Sequence, residues 1–207
     1  MSDQISSLLK HPKLWRASEQ KSDQSAHRYI PTGYPSLEEN LPGNGWPVGA
    51  LTEIVSDAVG IGELRLVMPA LASLTRKGRW LVWITPPYIP YAPALARYGI
   101  VLSRTMVVQT VSHLESIWAA EQILRNHTAG AVLLWSYPSD GRKLRRLQLA
   151  AEAGGSWGVL FTRSPSHSSP AALRLRLDTS SFETTRKPMV QVLKCRGGSP
   201  GEFSWEE

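Results

Sequence analysis

Ala50-Leu51-Thr52-Glu53-Ile54-Val55 is an apolar run of strand length, Ser56 to Gly62 is a short stretch holding two glycines, and from Glu63 the apolar spacing becomes Leu64, Val67, Met68 and Leu71. The last spacing is i, i+3, i+4, i+7, one face of a helix, so the segment reads as strand, tight loop, helix. Pro69 is expected to kink that helix, because it has no N–H to donate and its ring crowds the preceding turn. The same alternation continues along the chain. Trp80 to Ile84, Thr105 to Gln109, Ala131 to Trp135 and Trp157 to Phe161 are near-continuous apolar runs, as in strands of a parallel sheet buried on both faces. Between them, Ser112 with Glu115 forms a capping box opening a helix whose stripe reads Leu114, Ile117, Trp118 and Leu124. Arg142 to Ala153 is a further helix, stopped by Gly154-Gly155. After a Ser/Pro loop from Ser164 to Pro170, Leu173, Leu175 and Leu177 alternate with Arg174, Arg176 and Asp178 as a half-exposed strand, and Met189 to Cys195 offers one more. The fold class is therefore α/β: a mostly parallel sheet flanked by helices, with antiparallel strands at its C-terminal edge.

The chain has 207 residues, of which 42% are hydrophobic and eight are tryptophan, enough for one domain with a sizeable core. Ile5, Leu8 and Leu9 share a helical stripe, Pro12 interrupts it, Leu14 and Trp15 add apolar bulk, and Ala17 to His27 is polar. Residues 1–27 are read as a helical segment and linker, either packed on the rest or free to dock on a partner, and residues 28–207 as the α/β domain. The formal charge is +6, which favours encounter with polyanions or an acidic protein surface. Cys195 stands alone, and His11, His27, His113, His127 and His167 are scattered, so no disulfide, metal or cofactor is expected. Without a charged segment followed by an apolar run at the N-terminus, or a stretch long enough to cross a bilayer, a cytoplasmic location is expected.

Several segments imitate catalytic motifs. Gly154-Gly155-Ser156-Trp157-Gly158 fits the nucleophile elbow G-x-S-x-G, but here the helix precedes the strand, and His167 precedes Asp178 where that chemistry needs the acid before the histidine. Asp57-Ala58-Val59-Gly60-Ile61-Gly62-Glu63 lies where a phosphate-binding loop belongs in an open α/β sheet. A working loop needs lysine and a hydroxyl residue after its last glycine; Glu63 instead puts a carboxylate there, which repels triphosphate. Arg142, Lys143, Arg145 and Arg146 form a basic run on a helix, and Arg142, Arg145 and Arg146 share a face that grips phosphate or an acidic partner, or simply meets solvent. Trp46, in the turn-rich Pro42-Gly43-Asn44-Gly45-Trp46-Pro47, is a candidate partner anchor, with packing over the sheet end as the alternative.

Ile30-Pro31-Thr32-Gly33, Ser36-Leu37, Leu41, Pro47, Gly49 and Glu53-Ile54 resemble the lead-in to the nucleotide loop of the RecA recombinase, and Ala94-Leu95-Ala96-Arg97-Tyr98-Gly99-Ile100 is similar to a later RecA helix and turn. On that resemblance Gly62 takes the position of the nucleotide-binding lysine, Pro87 that of the catalytic glutamate and Trp135 that of the metal-binding aspartate. The domain thus looks like a RecA-like, degenerate ATPase. Two families of that kind resemble the chain further. The ImuA family is similar through Gly62-Glu63-Leu64-Arg65, Tyr91-Ala92-Pro93-Ala94-Leu95, Leu144 to Glu152, Ser169 to Arg176 and Leu193-Lys194-Cys195-Arg196-Gly197-Gly198. The SulA family is similar over about Leu51 to Arg163, including Gly78 to Pro86 and Ala153 to Gly158. The lead-in and the terminal strands favour ImuA.

The ImuA resemblance implies a non-enzymatic accessory protein of SOS-induced translesion DNA synthesis and mutagenesis. Its implied partners are the Y-family-like protein ImuB and an error-prone replicative-type DNA polymerase, with RecA as a further candidate. Lys194 and Arg196 join Trp46 and the basic helix as candidate partner-binding residues. The SulA resemblance implies the alternative, inhibition of cell division by binding FtsZ. An ATPase lacking the usual residues is a third class, which predicts saturable Mg-ATP binding.

Overall fold

The computed structural model describes residues 29–135, 140–164, 169–177 and 189–204. The expected N-terminal segment, the motif histidine His167 and Asp178 lie outside the described residues. The strands are β1 (Tyr29–Ile30), β2 (Trp46–Pro47), β3 (Ala50–Val55), β4 (Trp80–Ile84), β5 (Thr105–Val108), β6 (Ala129–Leu134), β7 (Trp157–Thr162), β8 (Leu173–Leu177), β9 (Met189–Cys195) and β10 (Gly201–Ser204). The α-helices are α1 (Pro35–Glu38), α2 (Glu63–Arg76), α3 (Ala92–Arg97), α4 (His113–Arg125) and α5 (Gly141–Gly154).

The expected sheet is present. Its spatial order is β10-β9-β8-β3-β7-β6-β4-β5. The strands from β8 to β5 run parallel, and β9 and β10 continue the β8 edge with antiparallel pairing. The half-exposed β8 thus joins the two patterns, parallel to β3 and antiparallel to β9. The small antiparallel pair β1–β2 and the edge strand β10 carry no sequence signal strong enough to have been read. β6 begins two residues before the expected start. Gly130 blurs the strand signal there, and a Cβ at that position would sit 2.6 Å from Arg79 Cβ, so the close approach of the β4 lead-in requires glycine.

Alternation along the strands divides the core. Ile54, Leu81, Trp83, Leu133, Trp157, and Leu175 face α2 and α3. Leu51, Val82, Ile84, Val132 and Leu160 face α4 and α5. Each face is covered because parallel strands are joined by crossover helices, which lie on the sheet and not at its ends.

Pro69 does not end α2, which runs from Glu63 to Arg76. The missing Pro69 N–H leaves the Arg65 carbonyl without its helical donor, and the Tyr34 hydroxyl donates to that oxygen at 2.9 Å. Gly33 (φ +84°) lies against the proline ring; a Cβ there would come within 2.5 Å of Pro69 Cβ. The carbonyl that Pro69 leaves without its helical donor is thereby satisfied from outside the helix.

At the start of α4 half of the expected capping box forms, with Glu115 N–H donating to Ser112 Oγ at 3.2 Å, while the Glu115 carboxylate accepts from Val111 N–H and not from the Ser112 amide. The stripe is only half right. Ile117 and Leu124 are buried, but Leu114 and Trp118 are each 62% exposed. Ser116, Ala120 and Glu121 occupy the inner face instead, where α4 packs against β6 and α5 and Glu121 meets Arg146 of α5. α5 opens on Asp140, whose Oδ1 accepts from Arg142 N–H at 2.8 Å, and closes at the left-handed Gly155.

Gln148 fastens α5 to the central strand. It is fully buried, and its Oε1 accepts from Leu51 N–H at 3.0 Å while its Nε2 donates to Glu152 at 2.9 Å. Gln148→Leu keeps the volume and strands a buried amide, so a loss of about 1–3 kcal/mol is expected. A urea titration checks it: an unchanged midpoint would show that the amide bond is immaterial.

Candidate functional site

The loop after β3 is where a nucleotide-binding protein of this architecture would hold phosphate. Here Glu63, the first residue of α2, is buried, and its Oε1 accepts from Gly60 N–H at 2.8 Å. A carboxylate at a helix N-terminus is favoured by the helix dipole. The chain therefore supplies its own anion to the loop, and one of the amides a phosphate would need is already engaged. Glu63 Oε2 has no hydrogen-bond partner among the described residues.

The neighbouring strand ends are filled with aromatic rings. Trp135, one residue past β6, stacks on Trp83 of β4 at 5.7 Å and on Phe161 of β7 at 4.6 Å. Trp135 thus offers a packed ring at this strand end and no carboxylate that could hold a metal. Beyond β4, the Thr85 hydroxyl meets Thr110 at 2.9 Å, and Thr110 meets Ser116 at 2.6 Å, tying the ends of β4 and β5 to α4. Ser156, the serine of the elbow-like motif, is fully buried and donates to the Ala129 carbonyl at 2.8 Å. It is a structural hydroxyl. Among the described residues no group of three His, Cys, Asp or Glu side chains could hold a metal ion, and no helix is long and apolar enough to cross a membrane.

A row of charge crosses β3, β8 and β9, where Glu53 pairs with Arg174 and Arg174 with Lys194 in register. Glu53 is fully buried; its carboxylate accepts from the Ser169 hydroxyl and from Arg174 Nε. Lys194 Nζ donates to the Ser169 carbonyl at 2.7 Å, and Arg196 reaches the Pro170 carbonyl at 3.5 Å. Burial, then repulsion from Arg174, lowers the Lys194 pKa below the ordinary lysine value, with Glu53 opposing and Arg196 adding to the lowering. Burial raises the pKa of the Cys195 thiol. Lys194 and Arg196 thus hold the segment that precedes β8. Arg196 also borders a cleft of about 530 Å³, with Tyr29, Pro42, Glu152 and Cys195. That cleft lies at the amino-terminal end of β3, opposite the Glu63 loop.

Trp46 is corrected from a candidate anchor to a core residue: it is fully buried and stacks on Trp157 at 5.2 Å. The turn-rich sequence around it sets its approach to the sheet end and not its exposure. The basic run is on the surface. Arg142 lies beside Asp140 at 3.6 Å, Arg146 reaches across to Glu121 of α4 at 2.6 Å, and Arg145 is exposed. Lys143 is half-buried. Sequence periodicity assigned Trp118 and Leu114 to the core, yet they stand on the surface of the adjoining helix.

A family model described as cell division inhibitor SulA matches residues 49–158, from the lead-in of β3 to β7. The chain belongs to the SulA family. The family segment thus includes the Glu63 loop, the Trp83–Trp135 stack and the two-helix layer, but not β8 to β10. Similarity to protein ImuA of Caulobacter vibrioides (strain NA1000 / CB15N) reaches further, at 28% identity over 194 residues, covering 82% of this chain and 79% of that protein. Cell division inhibitor SulA of Edwardsiella piscicida is 34% identical over 96 residues, covering 46% of this chain and 57% of its own length. The crystal structure of SulA from Pseudomonas aeruginosa is 24% identical, with a TM-score of 0.45, covering 54% of this chain and 96% of that one.

Proposed function

We propose that this member of the SulA family is a non-catalytic adaptor of ImuA type, acting in SOS-induced translesion synthesis. Its proposed partners are an ImuB-like Y-family protein, an error-prone replicative-type polymerase and RecA, met in the cytoplasm. One observation carries the non-catalytic part: the Glu63 carboxylate holds the loop amide of Gly60. Phosphoryl transfer depends on positioned positive charge around the phosphates, and a buried carboxylate at that place opposes it. The ImuA assignment is supported by similarity that covers 82% of this chain, where the family match is confined to residues 49–158. Candidate contacts are Arg142, Lys143, Arg145, Arg146, Lys194 and Arg196.

Deleting the gene in its host is expected to abolish most ultraviolet-induced mutation to drug resistance while leaving cell length normal. The purified chain is expected to bind Mg-ATP no more tightly than about 1 mM, at the limit of about 4 kcal/mol of binding energy. Unchanged mutation frequency, or tight magnesium-dependent nucleotide capture in calorimetry, would overturn the reading. The second reading, a division inhibitor binding FtsZ, is favoured by the family match over residues 49–158. It predicts filamentation on overproduction in cells lacking the ImuB-like protein.

A further inference from the structure

We propose that the outer face of α4 and α5 is a docking surface for an acidic amphipathic helix of a partner protein. Arg146 bridges the two helices by its bond to Glu121, so they lie side by side and their outer faces adjoin. On α4, Leu114 and Trp118 are four residues apart and both 62% exposed. On α5, Arg142, Arg145, Arg146 and Leu149 follow i, i+3, i+4, i+7, one stripe, with Leu149 45% exposed. The joined face thus has apolar anchors on both helices.

Charge selects the occupant. Glu121 has a side chain only 8% exposed and lies under Arg125 and Arg146, whose side chains are 58% and 63% exposed. The carboxylate is inside and the guanidinium groups are outside, so an approaching chain meets cations around the apolar strip. A helix with a leucine stripe flanked by glutamates matches both, inserting its apolar residues beside Trp118 and placing carboxylates against Arg142 and Arg145. Nucleic acid shares the charge and could stack on Trp118, but Leu114 and Leu149 on either side of that ring give an aliphatic strip that a leucine stripe fits better than a run of bases. The docking surface deepens the adaptor reading and rests on it only for the partner's identity.

Fluorescence anisotropy on the full chain tests this with a labelled peptide of about five helical turns. The peptide carries leucine at i, i+3, i+4 and i+7 with glutamate elsewhere; its scrambled isomer and an oligothymidine are the controls. The peptide is expected to bind at about 10 μM, and the scrambled isomer at least tenfold more weakly. Trp118→Ser and Arg145→Glu are each expected to weaken binding about tenfold, with Trp118→Phe restoring most of it. Both positions are exposed, so unchanged thermal unfolding separates lost docking from lost folding. Equal binding of the scrambled peptide, indifference to Trp118→Ser, failure of the peptide to bind, or oligothymidine binding lost in the same variants would each overturn the docking surface. Normal mutagenesis in the deletion strain alongside specific peptide binding would sink the pathway and leave the docking surface standing.

Discussion

Arg174→Met is expected to destabilise the protein by about 3–5 kcal/mol, a large share of the about 5–15 kcal/mol that holds a typical domain folded. The cause is what it leaves behind. Glu53 is on the central strand with no exposure, and Arg174, with a side chain 12% exposed, is its ion-pair partner. Lys194, the next cation in the row, donates to the Ser169 carbonyl and would have to turn one of its remaining N–H groups to Glu53 to take over. Removing the guanidinium alone strands a charge in the sheet, whereas removing both charges does not. The double variant Glu53→Leu with Arg174→Met is therefore expected to recover most of the loss, since well-packed apolar pairs often replace buried ion pairs at little cost. Urea unfolding of both variants checks this. If the single variant lost less than about 1 kcal/mol, Glu53 would have to be accommodated in another way.

Trp157→Ala is the second large effect, expected to cost about 3–5 kcal/mol. Trp157 is fully buried, stacks on Trp46, and donates its indole N–H to Thr52 Oγ1 at 2.9 Å. Its removal opens a cavity, withdraws the support of a second tryptophan and leaves a buried hydroxyl without its donor. Trp157→Phe is expected to lose less, because most of the volume remains and only the hydrogen bond is forfeited. Thermal unfolding orders the two variants, and equal losses would mean that the ring's bulk contributes little. Either result bears on the G-x-S-x-G segment, whose identity here is set by packing at the start of β7.

The parallel sheet was legible because β3, β4, β6 and β7 are covered on both faces and read as unbroken apolar runs; the edge strand β5 reads the same way although its Met106 and Val107 are exposed, contrary to the expectation of burial. Capping was legible too, since Ser112 and Glu115 act over three residues. What escaped were arrangements made across long sequence distances. Gln148 looks like any polar residue of an amphipathic helix, and only the nearness of Leu51 N–H explains its burial. Glu53 looks like an interruption of a strand until Arg174 is brought beside it. Periodicity identified a face of α4 correctly in spacing and wrongly in extent, because neighbours decide how much of a helix is covered; Ala119 and Ile123 pack inward while Trp118 does not. The same limit applied to Trp46, whose turn-rich setting suggests a surface residue. Of the candidate site, the altered nucleotide loop was readable from Glu63 alone. That the carboxylate folds back on Gly60 required coordinates.

The Tyr34 hydroxyl on the Arg65 carbonyl ties α2 to a segment outside the family match. A fragment cut to the family match, residues 49–158, would lose the phenol that completes α2 and the β8 strand that shields the open flank of β3. Such a fragment is therefore expected to melt below the whole chain, with its first losses at the middle of α2 and along the bared edge of β3.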